Sequence, residues 1–133
     1  MYSEEVRRLL AELPNRGPLI GATAERRVEN PVCGDVVELQ LRVAAGRIEE
    51  CRFLAEGCPA ALASAAAITE LVHRMPVDWC RRLTVEMLLE RLGGLPSHKR
   101  HGAELAIEAL RGALASEGRA SGLVHGPTFP PQE

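Results

Sequence analysis

Two neighbouring stretches of alternating apolar residues limit the fold of this 133-residue chain more than any other feature. In residues 36–43, valine or leucine occupies every second position from 37 onward, with polar residues between, which is the period of a half-buried strand. Residues 47–56 predict a second strand, and only Ala44-Ala45-Gly46 separates the two. Such a short connection containing glycine predicts an antiparallel hairpin. One face of the second strand carries Ile48, Cys51, Phe53 and Ala55.

The hairpin brings together residues that can bind a metal. In an antiparallel pair, the start of the first strand lies beside the end of the second, about 4.8 Å away. Cys33 and Asp35 come just before the first strand, and Cys58 comes just after the second. Pro31 and Gly34 favour a tight turn that exposes this end of the hairpin. The register therefore predicts a cluster of two thiols and one carboxylate.

The remaining segments predict an α+β fold. An edge strand is expected at residues 22–29, and a short helical turn at residues 76–81. Helices are predicted from apolar spacing and end signals at residues 3–13, from Pro59 onward, at residues 84–92 and up to about Ser116. We expect a small antiparallel sheet of about three strands, covered on one face by helices.

Composition and length set the domain organisation and the function classes. We expect one domain at residues 1–117 and a disordered tail at residues 118–133, which are rich in Gly and Pro and lack periodicity. A net charge of −2 and 3% aromatic residues argue against nucleic acid binding. The longest apolar stretch, residues 58–68, is too short to cross a membrane, and the acidic N-terminus is unlike a signal peptide. These features predict a cytoplasmic protein.

The four cysteines have different expected roles. In a cytosolic chain, metal binding or redox chemistry is a better expectation for cysteines than disulfides. Cys51 lies on the inward face of a predicted strand and Cys80 in a short turn, so both are expected to pack in the core. Cys58 precedes a helix, whose macrodipole is expected to stabilise its thiolate and lower its pKa.

Taken together, the motifs resemble those of the U-type iron–sulfur cluster scaffold family, which includes IscU, SufU and the N-terminal domain of NifU. The resemblance covers roughly residues 20 to 115. It is carried by Asn30-Pro31-Val32-Cys33-Gly34-Asp35, Arg52-Phe53, Gly57-Cys58 running into Ala63-Ser64-Ala65, and Leu95-Pro96 through His101 into Ala106-Ile107-Glu108-Ala109-Leu110.

This resemblance implies a SufE/NifU-like fold and a scaffold or carrier rather than an enzyme. It implies that a labile [2Fe–2S] cluster or iron is held by Cys33, Asp35, Cys58 and His101. It also implies a cysteine desulfurase and cluster-accepting proteins as partners, and leaves a homo-oligomer open.

The sequence departs from the family where Gly102 stands in place of the third cysteine, which is the usual acceptor of persulfide sulfur. Two thiolates, an imidazole and a carboxylate can complete a zinc site or hold a [2Fe–2S] cluster. The alternative is therefore a zinc-binding degenerate paralogue that regulates or binds the assembly machinery. A zinc enzyme ranks last, because no general base beyond Asp35 is evident. A Gly102→Cys substitution is expected to restore the three-cysteine site.

A second departure lies in the segment Leu95-Pro96-Ser97-His98-Lys99. It resembles the segment by which a chaperone recognises members of the family, but both central residues differ. The resemblance therefore implies transfer of a cluster through that chaperone less strongly than it implies cluster binding.

Overall fold

The elements alternate little between strand and helix, because the three strands come early in the chain and most helices follow. The structure, a computed structural model, describes the backbone of residues 1–120 and the side chains of residues 1–117. In chain order the elements are α1 (Glu4–Glu12), β1 (Ala24–Glu29), β2 (Val36–Ala44), β3 (Arg47–Glu56), α2 (Pro59–Leu71), α3 (Val77–Arg81), α4 (Val85–Arg91), a short 3-10 turn (Ser97–Lys99) and α5 (Arg100–Ala120).

The three strands form one antiparallel sheet in the order β1-β2-β3, which confirms the predicted α+β fold. Val37 pairs with Val28 of β1 on one side and with Ala55 of β3 on the other. The hairpin turn is shorter than expected because Ala44 still belongs to β2. Ala45 and Gly46 both have positive φ, 54° and 75°, as a two-residue turn of type I′ requires.

A β-bulge explains how Ile48 and Cys51 come to face the same side of β3. The register changes between Arg42, which pairs with Glu50, and Val43, which pairs with Ile48. One extra residue on β3 shifts the alternation of side chains by one position. As a result Ile48 is buried together with Cys51, as the sequence predicted without the bulge.

Helices α2 and α5 cover one face of the sheet and contain much of the core. Helix α5 packs on β1 and β2, while α2 packs on β3 and on α5. The many alanines of α2 are fully buried, and these small side chains allow the helix to lie close to its neighbours. Cys51 and Cys80 are both buried in this core, as expected.

The last helix includes the segment around His101. Helix α5 starts at Arg100, so that His101 and Gly102 lie in its first turn. The predicted tail, residues 118–133, lies for the most part outside the described residues, and the domain boundary stays a prediction. Among the helices that the structure describes, none is long and apolar enough to cross a bilayer.

Candidate functional site

The turn from Asn30 to Asp35 carries the first thiol. The Asn30 side-chain oxygen accepts hydrogen bonds from the backbone N–H groups of Val32, at 2.9 Å, and Cys33, at 3.4 Å. The Gly34 N–H donates to the Asn30 carbonyl at 2.7 Å, and the Asn30 N–H donates to the Asp35 carbonyl at 2.8 Å. Cys33 is exposed at the tip of this turn, and the adjacent Val32 is 93% exposed.

Asp35 links the turn to the start of α2. Its side chain is buried, and one carboxylate oxygen, Oδ1, accepts from the Cys58 N–H at 3.1 Å. Cys58 is the N-cap residue of α2 and makes no capping bond with its own side chain, and the Asp35 carboxylate satisfies one N–H group at this helix end. Gly57 allows the close approach: its φ is 131°, and a Cβ there would overlap the Asp35 carboxylate.

His101 completes the site from α5. Its Nε2 lies 3.2 Å from Oδ2 of Asp35 and 4.0 Å from the Cys58 Sγ. Ligand atoms of Cys33, Asp35 and His101 all lie within 4.8 Å of one another. The four predicted ligands therefore meet at one edge of the molecule. Cys58 lies next to the compact group of three but is not part of it.

These donors are compatible with a tetrahedral metal ion or an iron–sulfur cluster. Metal–sulfur bonds of about 2.3 Å and metal–nitrogen bonds of about 2.0 Å place neighbouring tetrahedral ligand atoms roughly 3.5 Å apart. The observed separations of 3.2 Å and 4.0 Å around His101 are close to this value. Around His101, only small movements of the side chains are needed for Asp35 or Cys58 to share a metal ion with its Nε2.

Burial and charge set the proton affinities of two of these groups. Burial raises the pKa of the Asp35 carboxyl, but hydrogen bonds from Cys58, Cys33 and His101 outweigh burial and hold this pKa below its ordinary value. Burial raises the pKa of the Cys58 thiol, and the nearby Asp35 carboxylate raises it further. The backbone N–H groups at the start of α2 lower this pKa by less. The expectation of a lowered pKa at Cys58 was wrong, because it considered the helix dipole without the burial of the thiol and the nearby Asp35 carboxylate.

Gly102 lies where α5 crosses the start of α2 at very short range. A Cβ at this position would be 2.8 Å from the carbonyl carbon of Ala60 and 2.8 Å from the backbone nitrogen of Ala61. Because the contact is with backbone, no side chain can turn aside to relieve it. The expectation that Gly102→Cys restores a third thiol stays a prediction, and this packing opposes it through the neighbouring helix rather than through a left-handed φ.

Two residues with structural roles in the site were not singled out from the sequence. Asn30 and Gly57 were noted only as parts of the motifs around Cys33 and Cys58. An Asn before an exposed turn is a known acceptor for backbone N–H groups two residues on, so this signal was available. No sequence signal connects Gly57 with Asp35, since their proximity arises from the pairing of Val36 with Glu56.

Comparison with known proteins identifies the family. The family model described as NifU-like N terminal domain matches residues 1–119. The chain therefore belongs to this family, and the U-type scaffold resemblance is confirmed.

Two of the similar relatives are named as scaffolds. The iron–sulfur cluster assembly scaffold protein IscU 1 of Archaeoglobus fulgidus is 35% identical over 124 residues, which cover 93% of this chain and 81% of the relative. IscU of Aquifex aeolicus is 34% identical over 115 residues, which cover 85% and 73% of the two chains. Among solved structures, a NifU-like protein of Brucella abortus matches with a TM-score of 0.74 and 13% identity over 88% of this chain and 94% of that one. This structural match supports the fold.

Proposed function

We propose that this protein is a scaffold or carrier in iron–sulfur cluster assembly, and that Cys33, Asp35, Cys58 and His101 hold its cargo. The cargo is a labile [2Fe–2S] cluster or the iron from which it is built. The partners are a cysteine desulfurase, which supplies sulfur, and proteins that accept the finished cluster. We place this activity in the cytoplasm.

One observation carries this proposal: two sulfur atoms, an imidazole and a carboxylate come from three separate elements to one open edge. Cys33 is exposed, Cys58 and His101 are half-buried, and only Asp35 is fully enclosed. A structural metal site is normally closed by protein on all sides. An open site with one exposed thiol suits a cargo that must enter and leave.

Before it binds, the cargo must compete with protons and with Asp35. The two thiols bind metals as thiolates, and the raised pKa of Cys58 means that a metal has to displace its proton. Nε2 of His101 faces both Asp35 and Cys58, so it must give up the Asp35 contact or present Nδ1 after a ring flip. Asp35 is then free to bind the metal or to orient His101.

A zinc-binding paralogue is the second candidate, and Gly102 favours it. The start of α2 fills the space that a side chain at position 102 would need. Such a protein would bind zinc and contact the assembly machinery without building clusters. A Cys-His-Asp hydrolase has less support, since Asp35 and Cys58 both approach the same nitrogen of His101, whereas a triad uses opposite nitrogens.

Anaerobic purification followed by iron, zinc and acid-labile sulfide analysis separates these candidates. A scaffold should contain or accept iron and sulfide in about equal amounts and develop visible absorption on reconstitution with iron, cysteine and a desulfurase. A zinc paralogue should retain one zinc and no sulfide after the same treatment. Failure to retain iron, sulfide or zinc would contradict both proposals.

Substitutions assign the ligands. Cys33→Ser and Cys58→Ser should each abolish tight binding, because only two thiolates hold the cargo. His101→Ala should weaken binding less, since water can take the vacated position. Cys51→Ala is the matched control: its thiol is 1% exposed and lies in the core, so the folded variant should bind cargo as the wild type does.

A further inference from the structure

We infer that Asn30 is the positioning residue for Cys33, and that its side-chain oxygen sets the affinity of the site. This inference rests on the proposed function, because it assumes that Cys33 is a ligand. It adds a residue that contacts neither the cargo nor any of the other proposed ligand side chains.

Packing cannot hold Cys33 in place. Pro31, Val32, Cys33 and Gly34 are all exposed, so no apolar burial orders the tip of the turn. Two backbone hydrogen bonds, from Asn30 to Asp35 and from Gly34 to Asn30, close the base of the turn. Neither of these bonds involves the N–H groups of Val32 and Cys33. The Asn30 side chain accepts from both of these groups.

These two hydrogen bonds connect the exposed thiol to the rigid part of the site. Asn30 directly follows β1 and is half-buried, whereas the four residues after it are exposed. Asn30 holds the backbone N–H of Cys33, and the Sγ of Cys33 lies within 4.8 Å of ligand atoms of Asp35 and His101. Without Asn30, the turn would have to be ordered at the moment of binding, and this entropic cost would weaken the site.

The test compares Zn²⁺ binding by three variants, measured by competition with a chromophoric chelator. Asn30→Ala should raise the dissociation constant about tenfold, which is the effect expected when two modest hydrogen bonds are lost. Asn30→Asp keeps an acceptor oxygen and should restore affinity to near the wild-type value. Gln40→Ala is the matched control: it removes another side-chain acceptor, which binds the Leu19 N–H at 2.7 Å far from the site, and should leave affinity unchanged.

A second measurement does not depend on the metal. In metal-free protein, the NMR order parameter of the Cys33 amide should be near 0.85 in the wild type and below about 0.6 in Asn30→Ala. Unchanged Zn²⁺ affinity in Asn30→Ala, or no recovery in Asn30→Asp, would overturn the inference while leaving the proposed function intact. If the wild type binds no Zn²⁺, the proposed ligand set fails, and the order parameters still show whether Asn30 orders the turn.

Discussion

The two halves of the candidate site are built in different ways. Cys33 lies on an exposed six-residue turn that is ordered by hydrogen bonds, whereas Cys58 and His101 lie at the starts of two packed helices. Asp35 joins these halves, since it belongs to the turn but caps α2 and contacts His101. The helical half is thus fixed by close packing, while the exposed tip of the turn half is held by hydrogen bonds.

Thiol labelling should reveal the largest difference. In metal-free protein near pH 8, Cys33 should react with an alkylating agent at least about 1,000 times faster than Cys51, whose labelling requires opening of the core. Cys58 should lie between them, because it is half-buried and its pKa is raised. Mass spectrometry of the labelled peptides gives the rates. Equal rates at Cys33 and Cys58 would mean that the start of α2 opens as freely as the turn.

Gly57→Ala should destabilise the junction of the two halves most strongly. It introduces an L side chain at a φ of 131° and drives a Cβ into the Asp35 carboxylate, at a cost of about 3 kcal/mol. Gly34→Ala is the control in the turn: its φ is 80°, but nothing lies within 4 Å of the added carbon, so about 1 kcal/mol is expected. Denaturant unfolding measures both. Equal losses of unfolding free energy in the two variants would show that the Asp35 side chain moves away easily from the new Cβ.

Gly102→Ala tests the close packing of the helical half. The new Cβ would press on the backbone of Ala60 and Ala61, and should lower the free energy of unfolding by about 2 kcal/mol. Gly112→Ala on the same helix meets only the flexible side chain of Arg26, and should be neutral or stabilise by up to about 1 kcal/mol. Thermal unfolding of the pair provides the comparison. A stable Gly102→Ala protein would show that α5 can move enough to admit a Cβ at this position.

The sequence was sufficient for the sheet and for one contact in the site. The alternation in β2 and β3 determines their faces, and the hairpin register brings Asp35 close to Cys58. His101 was placed by resemblance, since no local pattern connects α5 with the hairpin. The comparisons support the family, while the roles of the four ligands stay a prediction.

Tertiary contacts account for what the sequence did not predict. The pKa of Cys58 depends first on burial of the thiol and then on a carboxylate 23 positions earlier in the chain, and a helix-dipole argument includes neither. The obstacle at Gly102 depends on the distance between two helices, which the spacing of residues within one helix cannot give. The bulge that brings Ile48 inward likewise depends on the pairing between strands.

X-ray absorption spectroscopy of the protein with one bound Zn²⁺ shows whether each half of the site contributes one thiolate and whether nitrogen or oxygen atoms complete the coordination. The spectrum should fit two sulfur ligands at about 2.3 Å and two nitrogen or oxygen ligands at about 2.0–2.1 Å, and either Cys33→Ser or Cys58→Ser should reduce the sulfur count to one. A wild-type spectrum with no sulfur, one sulfur or three sulfurs would contradict the account.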